Sequence, residues 1–112
     1  MDETDDSRTA LAAEIEQLRK RYLEHLRVEL DEMARSAALI SGLEADRQAL
    51  VDIRHRLHQL AGSAGTFGVA AIGERARVLE ETASNWLDAP LDGLDEASLS
   101  AFIAGVKELA AT

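Results

Sequence analysis

Several residue types are scarce in this chain of 112 residues, which has no cysteine and a single proline, Pro90. The lack of cysteine excludes disulfide bonds and metal sites built from thiolates. Aromatic residues make up only 4% of the chain, although apolar residues make up 46%. A core must therefore consist mainly of leucine, alanine, isoleucine and valine, a composition that favours packed helices.

Basic residues are also scarce relative to acidic ones. Lysine and arginine number 12 against 21 acidic residues, which gives a formal net charge of -9. Because binding to nucleic acid depends on neutralising phosphates, this charge argues against a nucleic-acid partner, and it argues equally against an anionic membrane surface. No apolar run is long enough to span a bilayer. The acidic first residues lack the pattern of a signal peptide, so we expect a cytoplasmic protein.

Apolar residues recur every three or four positions along four segments, which predicts four helices. The first covers residues 7–38, and at this length a bend or break is expected near residues 17–22. The second covers residues 43–67, with Gly68 at its end. The other two cover residues 69–87 and 95–111, and Asp95 is a candidate N-cap for the last.

The predicted inward faces form one apolar stripe on each helix. On the first helix the stripe is Leu11, Ile15, Leu18, Tyr22, Leu26, Leu30, Met33 and Ala37. On the second it is Leu50, Ile53, Leu57, Leu60, Ala64 and Phe67. On the third and fourth it is Ile72, Ala76, Leu79, Ala83 and Trp86, then Leu99, Phe102, Ile103, Val106 and Leu109.

The connections between these helices are short, including the loop of residues 88–93 that contains Pro90. Short connections make neighbouring helices antiparallel. We therefore predict an all-α fold, an antiparallel up-down four-helix bundle. Residues 7–112 form a single domain, residues 1–6 form a disordered acidic N-terminus, and the chain is expected to be a monomer.

The most informative segment is residues 58–68, which read HQLAGSAGTFG. Gly62 and Gly65 fall inside the predicted second helix, where each glycine costs about 1 kcal/mol relative to alanine. On a helical wheel His58 lies roughly 140° from the centre of the apolar stripe. His55, Gly62 and Gly65 share this outer face. The two glycines therefore leave bare backbone beside His58, which indicates that another molecule approaches it closely.

An exposed histidine suits nucleophilic chemistry, because the uncharged imidazole is available near neutral pH. Such a ring nitrogen can accept a phosphoryl group and pass it on. Phosphoryl transfer depends mostly on positioning and charge stabilisation, which a partner can supply. His55 and His58 could also begin a metal site, but the sequence places no third ligand, and we predict no metal.

The segment of residues 58–68, followed by Ile72 and the pair Leu79-Glu80, resembles the histidine-containing phosphotransfer (HPt) domain of two-component phosphorelays. The histidine, the leucine two positions later, the glycine four positions later and the Phe67-Gly68 pair all fall in register. About 23 residues carry this signature, and the four-helix plan extends over the whole chain.

The resemblance implies that His58 is the phosphorylated residue. It would exchange the phosphoryl group with an aspartate on the receiver domain of a response regulator, or accept it from a sensor or hybrid histidine kinase. Gly62 would let the receiver dock, with Gly65, His55 and Ala61 around it and Gln59 in a supporting position. Glu80 matches a family position that often bonds the other imidazole nitrogen.

The family often has a lysine three residues after the histidine, where this chain has Ala61. The cation that pairs with the phosphate must then come from elsewhere. Arg54, one turn before His58, is the first candidate on helical spacing, Arg77 is a second, and the receiver is a third source. We expect no cofactor of the chain's own, and Mg²⁺ on the receiver.

The chain lacks a glycine-rich nucleotide site, so the resemblance implies a phosphotransfer intermediate and not an autonomous enzyme. Two alternatives stay open. The segment could be the phosphoacceptor domain of a larger chemotaxis-type histidine kinase, with the same fold and histidine. It could also be a helical interaction module that is not phosphorylated, in which His58 is incidental.

Overall fold

The computed structural model of the chain describes residues 3–41, 43–88 and 96–111, and these ranges contain four helices and no strand. The helices are α1 (Glu3–Ala38), α2 (Leu43–Ser63), α3 (Ala70–Asp88) and α4 (Glu96–Ala111). Each helix packs on the next along the chain, and α4 returns to pack on α1. The predicted all-α four-helix bundle is confirmed. None of the helices in the described ranges is both long and apolar enough to span a membrane.

The core contains most of the predicted stripes of α2, α3 and α4. Phe67, Ile72, Leu79, Leu99 and Ile103 are only half-buried at its margin. The buried apolar residues are Leu26, Leu30, Met33, Ala37, Ile40, Leu50, Ile53, Leu57, Leu60, Ala64, Ala76, Ala83, Trp86, Leu87, Phe102, Val106 and Leu109. Trp86 and Phe102 meet edge to face, with ring centroids 5.2 Å apart.

The stripe predicted on α1 is wrong in its first half. Leu11, Ile15 and Leu18 are 56%, 56% and 55% exposed, whereas the stripe from Leu26 onward is buried. The physical reason is that the turn between α2 and α3 contacts α1 at Arg19, and α1 extends beyond this contact with residues 6–18 all exposed. The predicted break near residues 17–22 is also absent, because α1 continues as one helix.

The start of α1 differs from the prediction. The helix begins at Glu3 and not at Ser7, so residues 3–6, which the sequence assigned to a disordered tail, are helical. Asp6 lies near the N-terminus of this helix, where a negative charge is favourable to the helix dipole. Met1 and Asp2 lie outside the described residues.

The end of α2 is more elaborate than predicted. The α-helix ends at Ser63, and the next residues continue in tighter turns, with bonds such as that from Phe67 N to Ala64 O at 3.2 Å. Gly68 has a φ of +80°. The amide of Gly68 donates to Gly65 O, and the amide of Val69 donates to Ala64 O. These two bonds form a Schellman motif, so Gly68 ends the helical path while Gly65 lies in a turn and not in the helix interior.

The end of α1, the start of α2 and the end of α4 agree with the prediction, and three other boundaries shift by one residue. The third helix begins at Ala70 and continues to Asp88, one residue later at each end than predicted, and α4 begins at Glu96. Asp95 and the loop residues 89–93 lie outside the described residues. Near its start α2 has a kink at Asp46, where φ is -119°, and the Asp46 carboxylate accepts a bond from the Ser41 amide at 2.9 Å.

Candidate functional site

His58 projects from the last third of α2 into solvent, as the helical wheel predicts, and its side chain is 75% exposed. Its Nδ1 lies 2.9 Å from Oε2 and 3.0 Å from Oε1 of Glu80 on α3. The side chain of Glu80 is only 19% exposed. The structure thus brings together the two residues that the resemblance paired, one exposed and one set into the groove between the helices.

This contact determines which imidazole nitrogen is available. An ionised carboxylate can only accept hydrogen bonds. Nδ1 of His58 therefore keeps its proton and donates a hydrogen bond to Glu80. In the neutral ring the lone pair is then on Nε2. Nε2 is therefore the ring nitrogen whose lone pair remains available.

Small residues allow α2 and α3 to approach closely enough for this contact. A Cβ atom added at Gly73 would lie 3.0 Å from Ala64 Cβ and 3.6 Å from the carbonyl oxygen of Ala61. Ala76, one turn later, is fully buried. The sequence reasoning missed Gly73, although a glycine within a helical pattern is a signal of close packing. The close approach at Gly73 and Ala76 sets the position of Glu80 farther along α3.

Gly62 and Gly65 have no such role within the chain. A Cβ atom added at either position would meet no atom within 4 Å. Neither residue has a positive φ, since Gly68 is the glycine with that conformation among the described residues. Packing and backbone conformation in this chain therefore give no reason for glycine at 62 or 65. The space above them is open toward solvent.

Arg54 lies one turn before His58 and lines the same surface groove between α2 and α3, together with Glu80 and Ser84. Its Nη1 is 3.4 Å from Oδ1 of Asp88, the last residue of α3. Side chains on a helix lean toward its N-terminus, so Arg54 extends along the groove away from His58. The guanidinium is thus near the histidine in sequence but paired elsewhere.

The other predicted site residues are spread around His58. His55 is exposed and borders the groove that holds His58, while Gln59 is exposed on the side of α2 that faces α1. Ala61 is half-buried against the core and not fully open to a partner. Arg77 is exposed on α3 and does not line the groove. Within the described ranges no three metal-ligating side chains come together.

A second cluster fastens the end of the motif to α1. Arg19 Nε donates to the carbonyl of Phe67 at 3.1 Å, and the hydroxyl groups of Tyr22 and Ser63 are 2.9 Å apart. The rings of Tyr22 and Phe67 stack with centroids 4.1 Å apart. The sequence reasoning missed this role of Arg19, which it assigned to a solvated charged face, because only the tertiary structure brings residues 19 and 67 together.

Comparison with protein-family models matches residues 17–111 to the Hpt domain. The chain belongs to the Hpt domain family. The match covers all four helices except the first part of α1. No curated protein and no solved structure shows a significant match to the chain.

Membership of the Hpt family establishes the general role of the chain. Hpt domains are phosphotransfer carriers without a kinase site of their own, and they interact with receiver domains and histidine kinases in phosphorelays. The chain therefore has a phosphotransfer role in two-component signalling.

Proposed function

We propose that His58 is the phosphoacceptor of this Hpt domain and that Nε2 is the atom that carries the phosphoryl group. The observation that carries the proposal is the bond from Nδ1 of His58 to Glu80 at 2.9 Å, on an imidazole that is otherwise open to solvent. In the reaction Nε2 attacks the phosphorus of a receiver's aspartyl phosphate. The bond from phosphorus to the aspartate oxygen breaks, and the aspartate leaves as a carboxylate.

Glu80 has two roles in this step. Before the attack it fixes the tautomer in which Nε2 holds the lone pair. After the attack the ring bears a positive charge, because Nε2 is phosphorylated while Nδ1 keeps its proton. The carboxylate of Glu80 stabilises that charge. In the second transfer the steps run in reverse. An aspartate of the response regulator attacks the phosphorus, and the bond from phosphorus to Nε2 breaks.

The glycines provide the docking surface for the receiver. The in-line geometry of phosphoryl transfer requires the attacking nitrogen and the aspartate oxygen to lie on opposite sides of one phosphorus atom. The receiver must therefore approach α2 closely beside His58. Gly62 and Gly65 add no side chain to this surface, which supports them as the point of approach, with His55 and Gln59 at its edges and Ala61 beside it.

Arg54 is the cation that we propose for the phosphoryl group. A phosphoryl group on Nε2 carries more negative charge than the single carboxylate of Asp88, and arginine binds phosphate with two parallel bonds. Rotation of the Arg54 side chain toward His58 would exchange the 3.4 Å contact with Asp88 for a contact with the phosphate. Asp88 then competes with the phosphoryl group for Arg54.

The partners in this proposal are a receiver domain and a sensor or hybrid histidine kinase. The chain needs no cofactor of its own, because Mg²⁺ is bound by the receiver and positions the aspartyl phosphate. It does not phosphorylate itself from ATP. The proposal keeps the cytoplasmic location predicted from the sequence.

The test is incubation with a receiver domain that carries a labelled aspartyl phosphate. The unmodified protein should acquire label that is stable to base and labile to acid, as expected for phosphohistidine. His58→Gln should acquire none. His25→Gln is the matched control, because His25 is an exposed histidine on α1, and it should be labelled as the unmodified protein is. Label that persists in His58→Gln contradicts the proposal.

A further inference from the structure

The first part of α1 projects beyond the bundle as an arm, defined here as residues 3–18. The described residues have a radius of gyration of 17.8 Å and a longest dimension of 67 Å. A compact domain of this length has a radius of gyration of about 13 Å. The arm begins where Arg19 contacts the turn between α2 and α3, and residues 6–18, whose side chains are described, are all exposed. Most of it also precedes the family match, which begins at residue 17.

The arm carries an apolar stripe that no part of the described chain covers. Leu11, Ile15 and Leu18 are each more than half exposed, and their spacing of four and three residues places them on one face. An isolated helix of this length is marginal in water. The arm continues the buried part of α1, and a second surface that covered the stripe would stabilise it further.

Charged residues border the stripe in a self-complementary pattern. Glu14 and Arg21 lie along one edge, seven residues apart. Glu16 and Arg19 lie along the other edge, and within one chain they are 3.7 Å apart. All four side chains reach solvent, fully or in part. On each edge the acidic residue precedes the basic one.

This order of charges suits two arms that run in opposite directions. In an antiparallel pair each edge faces the same edge of the second copy, so Glu14 lies beside Arg21 of the other chain. Glu16 and Arg19 meet in the same way on the opposite edge. In a parallel pair in register, the edge that holds Glu14 would instead face the edge that holds Arg19, and Arg21 would have no acidic residue opposite it.

We propose that two copies of this chain associate through their arms as an antiparallel pair of helices. Ile15 of one copy packs against Leu18 of the other near the two-fold axis, and Leu11 packs toward Tyr22. The contact covers few residues and is small for a protein interface, so the dimer is weak. This inference replaces the monomer expected from the sequence, and it does not depend on the proposed role of His58.

Sedimentation of the full chain over a micromolar to millimolar concentration series tests the proposal. The unmodified protein should pass from monomer to dimer. Ile15→Glu should raise the dimer dissociation constant at least about tenfold, because it places a charge in the apolar contact. Val78→Glu is the matched control, since Val78 is 63% exposed on α3, and it should dimerise as the unmodified protein does. Unchanged helical circular dichroism and unchanged fluorescence of the buried Trp86 would show that each variant is folded.

Charge reversal tests the orientation. Glu14→Arg and Arg21→Glu should each weaken the dimer, and the double variant should restore it, because the antiparallel pair then holds the same two residues in exchanged positions. A protein that stays monomeric at every concentration would overturn the proposal. A dimer that Ile15→Glu leaves intact would also overturn it, and failure of the double variant would exclude the antiparallel arrangement.

Discussion

A single carboxylate determines the chemistry available at His58. Surface histidines normally exchange between two neutral tautomers, and either nitrogen can hold the proton. Here the half-buried Glu80 accepts a hydrogen bond from Nδ1 at 2.9 Å, which leaves the lone pair on Nε2. The nitrogen that we propose as the reactive atom therefore belongs to a side chain that is 75% exposed and open to a partner.

Replacement of Glu80 should slow phosphorylation without unfolding the protein. In Glu80→Gln the amide can donate or accept, so both tautomers become populated and the ring charge loses its counterion. If the hydrogen bond to Glu80 favours the reactive tautomer by about 1 kcal/mol, its loss should slow phosphorylation roughly fivefold. Stopped-flow labelling measures the rate, and ¹⁵N chemical shifts of His58 report the tautomers. Glu81→Gln, an exposed neighbour on α3, is the control, and an equal effect of both variants would contradict the prediction.

Arg54 and Asp88 should show opposite effects on the phosphorylated state. Arg54→Gln should lower the fraction of His58 that is phosphorylated at equilibrium with a receiver, and Asp88→Asn should raise it. The ion pair between Arg54 and Asp88 is largely exposed, since the side chain of Asp88 is 72% exposed. Each substitution should therefore change the phosphorylated fraction by no more than about fivefold. Quantification of label at equilibrium measures both.

The double variant makes the test specific. If Asp88 acts only by competing for Arg54, then Arg54→Gln combined with Asp88→Asn should behave as Arg54→Gln alone. Asp88→Asn that raises phosphorylation equally in the absence of Arg54 would show that Asp88 acts by general charge repulsion.

Gly62 should matter for the partner and not for the fold. Gly62→Gln adds a side chain in open space and increases helix propensity, so the free energy of unfolding should not fall. Transfer from a receiver should fall at least about tenfold if the side chain lies in the docking contact. Ala104→Gln is the control, because Ala104 lies at an exposed position of α4. Normal transfer in Gly62→Gln would show that the receiver does not approach at this position.

At the level of elements, the contact between α2 and α3 is what assembles the site. Gly73 and Ala76 let the two backbones approach, and the Schellman motif at Gly68 turns the chain so that α3 returns along α2. The cluster of Arg19, Tyr22, Ser63 and Phe67 then holds this turn against α1. The site thus depends on three helices, although His58 and Glu80 lie on only two of them, α2 and α3.

Gly73→Val should destabilise the bundle and disturb the site. The Cβ atom of the new valine would lie 3.0 Å from Ala64 Cβ. Overpacking of this kind lowers the free energy of unfolding by about 1–3 kcal/mol. Urea unfolding followed by the fluorescence of buried Trp86 measures the loss. Gly62→Ala is the matched glycine substitution in open space, and it should be neutral or slightly stabilising. Equal stability of the two variants would contradict the close packing at Gly73.

At the level of the whole molecule, the chain divides into a compact bundle and a projecting arm. The bundle contains the core, the site and nearly all of the family match. The arm continues the apolar pattern of α1 past the point where its own chain can cover it. The candidate site, on α2 and α3, and the proposed contact for self-association, on the arm of α1, therefore lie in different parts of the molecule.

Removal of residues 1–16 should leave the bundle intact. Because residues 6–16 are all exposed, the free energy of unfolding measured by Trp86 fluorescence at low protein concentration should change by no more than about 0.5 kcal/mol. Transfer to His58 should persist, and association at high concentration should be lost. A loss of more than about 1 kcal/mol would show that the arm stabilises its own bundle.

Much of the fold could be predicted from the sequence, because periodic apolar residues report directly on which face of a helix is buried. The four helices, their order and most of the core agree with that prediction. The errors lie where local pattern and tertiary surroundings separate. Leu11, Ile15 and Leu18 continue the stripe of α1 without a neighbour, and α2 ends at Ser63 because the last residues before Gly68 tighten into a different turn.

The sequence by itself determined the helical bundle, the exposed face of His58 and the family resemblance, since these depend on periodicity and on residues close together in the chain. The tertiary structure decided what depends on contacts between distant residues. In the tertiary structure Glu80 contacts Nδ1 of His58, and Arg54 pairs with Asp88. Arg19 holds the turn between α2 and α3, and the apolar stripe of the arm is exposed. Spacing along a helix specifies the direction of a side chain, but only the packing of the helices specifies what that side chain meets.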